Sequence, residues 1–418
     1  MTTTEAAGAP RTELDRQDER LRQQAGLRGT IDGFARRVRA GDLGSLPVIV
    51  GLAIVWTVFQ ILNPVFLSAD NLVNLTLECS AVGVISLGVV CVLLVGQIDL
   101  SVGSVSGLAA AVTAVLFVDR HWPVAIAIAA ALAVGLVIGF VYGQVFNRLG
   151  MPSFVVTLAG LLAFLGIQLW VLGSAGSINI PFTSGLVGFA QLDFVTAPVS
   201  YALAALVAVG MFLRGRAMAN ARRQAALSAT STRALAVRSL AVLVALEAAV
   251  WYLNQGRGVG WMFVLFAALV VVMNYALTRT AWGRSMFAVG GNAEAARRAG
   301  INVRSVYLSA FMLCTTLATV GGVLAAARLG SANQSSGTGD VNLNAIAGAV
   351  IGGTSLFGGR GSASSALLGV IVIQSISSGL TLLNLSSSFR FVITGFVLAL
   401  AVAVDSLARK SRAAHGQA

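Results

Sequence analysis

Val84-Ile-Ser-Leu-Gly-Val-Val-Cys91-Val-Leu-Leu-Val95-Gly96-Gln97-Ile98-Asp99-Leu100-Ser101-Val102-Gly103-Ser104 decides the fold. It closes one apolar run, interrupts it with two glycines around an ionisable residue, and opens another. Each run, near 73–96 and 101–118, is about as long as the ~20 residues a helix needs to cross a bilayer. Lipid offers the backbone no hydrogen bonds, so such runs must be helices or closed barrels. Their apolar character is continuous rather than alternating, which is the helical pattern. Gly96 and Gly103 permit backbone that other residues resist. Irregular backbone at membrane depth survives only inside protein or beside a water-filled cavity. An ionisable residue there is a functional candidate. Asp99 or Ser101 can satisfy the freed amides as the cap of the next helix. Asp99 therefore either caps a helix and nothing more, or lies on a pathway.

Similar runs recur near 46–66, 124–146, 153–173, 197–213, 237–254, 259–278, 304–327, 341–357, 362–383 and 391–407. The short 341–357 stretch is either a full span or a re-entrant segment. The chain is 57% hydrophobic and 11% charged, with mean hydropathy +0.85, whereas soluble domains carry roughly 25% charge. The expected fold is an all-α integral membrane protein, a polytopic bundle of about ten to twelve transmembrane helices. A polar cytoplasmic tail at 1–44, a membrane domain at 45–408 and a second cytoplasmic tail at 409–418 complete the layout. The second break, Arg328 to Asp340, interrupts a later pair of runs much as Gly96–Ser104 interrupts the first. Interrupted helices in matching places of two opposed halves form a transporter pattern, an inverted repeat. By span counting, the first break falls near the inner side and the second near the outer side.

The net charge of +12 raises nucleic acid as a partner, but its placement argues otherwise. Of the 28 basic residues only Arg120, Arg257, Arg328 and Arg390 fall outside when the first tail is cytoplasmic. That is the positive-inside bias of a multi-pass protein with both termini in the cytoplasm. An insert at 214–238 holds six arginines and no acid; it reads as an orientation signal, a lipid head-group contact or a regulatory surface.

One cytoplasmic loop, 279–304, is built like a helix. In Gly291-Asn292-Ala293-Glu294-Ala295-Ala296-Arg297-Arg298-Ala299-Gly300, Asn292 suits a cap and Glu294 the first turn. Arg297 and Arg298 suit the last turn, and Gly300 the stop. A short helix over 293–299 with small side chains can fit a cleft on a partner.

Several chemistries are absent from the sequence. Gly352–Gly361 is glycine-rich, but Lys410 is the sole lysine, so no GxxxxGK[ST] phosphate loop exists. Cys79, Cys91 and Cys314 lie in apolar spans at spacings that fit neither disulfides nor zinc. The two histidines, His121 and His415, are far apart. No nucleophile–base set or metal cluster points to an enzyme. Glu78 and Glu247 also fall within spans and are not assigned as substrate ligands.

Four segments resemble the permease subunits of bacterial ABC sugar importers, best the ribose and xylose branch. They are Gly96–Ser104, Pro152–Gly160, Gly290–Asn302 and Ala345–Gly359, in the family's order, within a likeness running from about 65 to 408. The added span pair and arginine insert at 197–254 look like the longer xylose-type permeases. The position of Gln97 varies in the family, and residues 1–44 lie outside the likeness. The resemblance implies a permease dimer in the bacterial inner membrane, two cytoplasmic ATPase subunits that hold ATP and magnesium, and an extracytoplasmic sugar-binding protein. It implies no cofactor or metal on this chain. It makes Gly291, Asn292, Glu294, Ala295, Arg297, Arg298 and Gly300 the coupling helix that enters a groove of the ATPase. By that likeness Asp99, Ser101 and Ser104 lie along the pathway or shape it. Gln97 and Gly103 of the same break are also pathway candidates, and so are Asn333 and Gln334, because a neutral pentose needs amides and hydroxyls rather than strong charge.

The expected function is uptake of a monosaccharide, most simply D-xylose, by alternating access. The rivals are a proton-coupled carrier using Asp99, a channel or scaffold, and an ABC permease for ribose, another sugar or branched-chain amino acids.

Overall fold

The computed structural model describes residues 46–386 and scattered positions between 388 and 399. The tails and most of the expected span 391–407 lie outside the described residues. The chain runs α1 (Leu46–Leu62), α2 (Ala69–Leu94), α3 (Val102–Ala114), α4 (Val124–Leu149), α5 (Ser153–Leu172), β1 (Ser177–Asn179), α6 (Ala197–Gln224), α7 (Thr232–Leu253) and α8 (Trp261–Arg279). It continues through α9 (Ala281–Gly291), α10 (Ala293–Arg298), α11 (Val303–Leu329), β2 (Ser331–Asn333), α12 (Val341–Ile351) and α13 (Ala363–Leu382). Among the described residues, nine helices are long and apolar enough to cross a membrane, as the all-helical polytopic reading expects.

The expected span at 341–357 becomes a half-length helix. α12 has 11 residues, about 16 Å at 1.5 Å per residue, roughly half the hydrocarbon thickness. It stops where Gly352 and Gly353 begin a run of turns, with φ of Gly353 at +106°.

The chain forms two compact units. One comprises the described residues 196–258, an α6–α7 hairpin. The insert expected at 214–238 is no separate loop there: α6 continues to Gln224 and α7 already begins at Thr232. Arginine and alanine are good helix formers, so the charge that ends the apolar run does not end the helix. The Ser231 hydroxyl caps α7 by accepting from Ala234 N (3.2 Å), and Arg222 Nε closes the connection on Ser228 O (2.6 Å).

The other unit holds the described residues up to 195 and from 259 onward. α2 is its axis. Every residue from Gly83 to Leu94 is buried, because α3, α8, α11, α12 and α13 surround it. A helix apolar all round belongs in such a place. α4 meets α11 through Gly135, Gly139 and Gly143, four residues apart and so on one face. A Cβ at Gly139 would sit 2.5 Å from Met312 Cα. The approach lets Thr315 Oγ1 donate to Gly135 O (2.7 Å). Small residues are how helices pack closely where no water is expelled. β1 and β2 pair antiparallel at the end of the bundle where α11 finishes, with Ile178 opposite Ala332.

Candidate functional site

Three features carry the chemistry of the bundle. The first is the α9–α10 segment at the end opposite the β1–β2 hairpin. Thr280 Oγ1 accepts from Gly283 N (3.1 Å) and starts α9. Asn292 Oδ1 accepts from Ala295 N (2.9 Å) and starts α10, and Gly300, at φ +84°, follows its end. Glu294 pairs with Arg297 (2.6 Å) and Arg298 (3.3 Å). Ala296 turns inward and is buried, while Asn292, Glu294, Ala295, Arg297 and Arg298 are exposed. The expected helix is present and presents a charged outer face. Sequence reasoning missed Gly290. A Cβ there would collide with the Leu94 carbonyl and the Gly359 amide, which hydrogen-bond each other (2.9 Å). A Cβ on Gly291 would meet nothing within 4 Å. Thus Gly290 seats the segment on the bundle, and Gly291 is open to a partner.

The second feature is where the two breaks lie. Span counting puts them near opposite sides; the structure joins them. Asn342 Nδ2 donates to Leu100 O (2.8 Å), and a Cβ on Gly103 would stand 2.5 Å from Gly337 O. Against α5, the junction spans from Thr157, which accepts from Leu100 N (3.1 Å), to Gln168, which donates to Ser336 O (3.0 Å). Residues 334–340 turn back into the bundle after β2, so the second break starts a helix inside the protein rather than at an end.

Within this junction Asp99 is 1% exposed. Its Oδ1 accepts from Ser101 N (2.8 Å) and Ser101 Oγ (2.7 Å), and Tyr142 donates to Ser101 Oγ (2.8 Å). Ser101 makes no side-chain cap itself, so Asp99 holds the turn. Cys314, buried on α11, lies against the same carboxylate. Ser104 donates back to Ser101 O (3.0 Å), Gln97 lies beside Tyr307, and Gly103 makes the contact with Gly337. Asn333 lies in the hairpin, paired with Ser177, and its carbonyl accepts from Gln168 Nε2 (3.0 Å) at the edge of the junction. Gln334 is exposed, its backbone N–H donating to Gly176 O (3.1 Å). The seven expected pathway residues therefore fall in two places, five at the buried junction and two at the hairpin.

The third feature was not legible in the sequence: a cavity of about 640 Å³ between α2, α11, α12 and α13, on the hairpin side of the junction. Asn71, Glu78, Arg328, Asp340, Asn344 and Gln374 are among its walls. Glu78, not assigned as a ligand above, lies 3.6 Å from Arg328 across it. The available signal was polar residues at helical spacing on one face of an apolar run, Asn71, Asn74 and Glu78, matched by Gln374 and Ser378 on α13. None of the expected pathway residues lines this cavity.

The family described as "branched-chain amino acid transport system / permease component" matches residues 71–402. The xylose transport system permease protein XylH of Escherichia coli K12 is 34% identical over 348 residues, 82% of this chain and 87% of that protein. XylH of Haemophilus influenzae is 31% identical over 375 residues, 90% of this chain and 99% of its own length. The ribose import permease protein RbsC of Escherichia coli K12 is 30% identical over 359 residues, 86% and 92% of the two chains. No solved structure matches. A helical bundle with interrupted helices, matched to the family from residue 71 to 402 and to these relatives over more than four fifths of its length, identifies the chain as a member of the branched-chain amino acid transport system permease family, in the branch that holds the xylose and ribose permeases.

Proposed function

We propose that the chain is the membrane permease of an ATP-driven, binding-protein-dependent importer of a monosaccharide, and that the sugar is D-xylose. The observation that carries the mechanism is α10. It is a capped, exposed, charged helix of six residues, Ala293–Arg298, seated on the bundle through Gly290. A small-residue helix of this kind transmits movement when a partner grips it, because its own junction cannot give without displacing the end of α2. In this reading two copies of the chain stand on two ATPase subunits, which bind ATP and magnesium. Both termini are cytoplasmic, and a sugar-binding protein docks on the hairpin side. The chain does no chemistry on the sugar. Similarity to XylH favours xylose, and so does the α6–α7 hairpin, which fits the longer xylose-type layout.

The test is ATP hydrolysis in liposomes holding this chain and its ATPase, with the binding protein and each sugar added in turn. Stimulation that requires all three proteins and xylose supports the reading. Stimulation by ribose alone keeps the mechanism and changes the sugar. Uptake that needs no ATPase and collapses with the proton gradient overturns it in favour of a carrier using Asp99.

A further inference from the structure

The importer reading leaves the cavity between α2, α11, α12 and α13 without a role. We propose that it is a low-affinity site for a neutral monosaccharide within the permease itself, so that this chain discriminates among substrates alongside any binding protein. The proposal rests on the importer reading for its substrate class.

Its size, about 640 Å³, falls among small-molecule sites, which run from ~300 to 1,000 Å³. Its polar groups are unevenly satisfied. Asn344 is 5% exposed, and its Oδ1 has no hydrogen-bond partner, while its Nδ2 is spent on Asp340 (3.1 Å). A buried amide oxygen left unpaired is costly unless something completes it. Gln374 is 7% exposed on the facing helix and lines the same space. Glu78 and Arg328 lie at 3.6 Å, too long for a direct hydrogen bond. Each keeps free capacity: lone pairs on the carboxylate, N–H groups on the guanidinium. Donors from Arg328 and Gln374, with acceptors from Glu78, Asp340 and Asn344, match the alternating donors and acceptors of neighbouring hydroxyls.

Charge sets the ligand class. Two carboxylates against one guanidinium repel a phosphorylated sugar, whereas an uncharged polyol pays no such penalty. The walls contain no aromatic side chain, so stacking adds nothing and binding is weak. Weak binding suits a site that must release what it accepts. Asn344 and Asn342 lie on the same short helix, so α12 ties the cavity to the junction of the two breaks.

The experiment measures binding of D-xylose to the full-length chain in nanodiscs without any binding protein. D-ribose, xylose 5-phosphate and leucine serve as competitors. Saturable millimolar xylose binding is expected, competed by neither the phosphate ester nor leucine. Asn344→Ala and Gln374→Leu should each weaken it roughly five- to tenfold. Val272→Ala, on the exposed face of α8, should bind as the unaltered chain does. Thermal melting of each variant separates lost binding from lost folding, and Ser377→Trp, which fills the cavity from its rim, gives a second route to the same loss. No saturable binding, full binding by the folded cavity variants, or preference for leucine overturns the site. The ATPase response of the unaltered complex to loaded binding protein is measured in parallel. If that response is present while the site fails, the importer reading stands alone; if it is absent, that reading fails by itself.

Discussion

Asn342, in the first turn of α12, and Leu100, two residues before α3, are 242 residues apart in sequence, and a hydrogen bond from the Asn342 side-chain amide to the Leu100 carbonyl joins them across 2.8 Å. Each helix start is a break in an apolar run, and each break would leave backbone groups unpaired in lipid. The Asn342 side chain satisfies the Leu100 carbonyl of the first break, while Thr157 accepts from the Leu100 amide.

Replacing Asn342 with leucine keeps the bulk and removes the donor. The Leu100 carbonyl then loses a partner in a partly buried place, at a cost of about 1–3 kcal/mol. Gly103→Val should cost at least as much, since its side chain would meet the Gly337 carbonyl, and overpacking of this kind costs ~1–3 kcal/mol. Thermal unfolding in detergent checks both; unchanged midpoints would mean the breaks do not support each other.

Asp99 distinguishes a structural acid from a proton carrier. Asp99→Asn keeps an acceptor for Ser101 and should lose no more than about 1 kcal/mol. Asp99→Ala frees the Ser101 amide and hydroxyl together and should lose about 2 kcal/mol or more. Uptake by the asparagine variant should persist, because Asp99 holds a turn. Abolished uptake with normal folding would instead point to a titrating role.

Gly290 and Gly291 are adjacent and should behave differently. Gly290→Ala should lower the yield of folded protein, because the new methyl overlaps the Leu94–Gly359 contact. Gly291→Ala should fold normally and lose activity only through the docking face. Glu294→Ala should melt within about 0.5 kcal/mol of the unaltered chain, since exposed pairs contribute little. It should nonetheless lower ATP hydrolysis stimulated by loaded binding protein. Normal stimulation in both folded variants would remove α10 from the coupling role.

Glu78 and Arg328, with side chains 30% and 28% exposed, connect α2 to α11. Removing either should destabilise more than removing both, because a lone charge remains in a partly dry cavity. A cycle of Glu78→Gln, Arg328→Gln and the double variant should give a coupling energy of about 1 kcal/mol. A value near zero would show that the pair is only proximity.

What could be read from the chain was local. Asn292, Glu294, Arg297 and Gly300 specify a short helix without outside help, because cap, first-turn acid, last-turn base and stop glycine all act within a few residues. The reading of 293–299 differs by one residue from the observed Ala293–Arg298. Unbroken hydropathy likewise marked α2 to α5, since lipid or a dry core accepts the same side chains. For that reason hydropathy could not tell α2, enclosed by protein, from the exposed α5. Nor could it place the ends of α6 and α7, where arginine and alanine carry the helix past the apolar limit.

Sequence thus determined the class of the protein, the interruption at Gly96–Ser104 and the α10 segment, because each depends on neighbours in the chain. Tertiary structure alone decided that the Asp99 and Asp340 breaks lead to one junction, that Gly290 rather than Gly291 seats the loop, and that Glu78, Arg328, Asn344 and Gln374 share a cavity. Those residues come from four helices, and their meeting depends on how the helices pack. No spacing along the chain encodes the distance between side chains that only a folded bundle brings within reach.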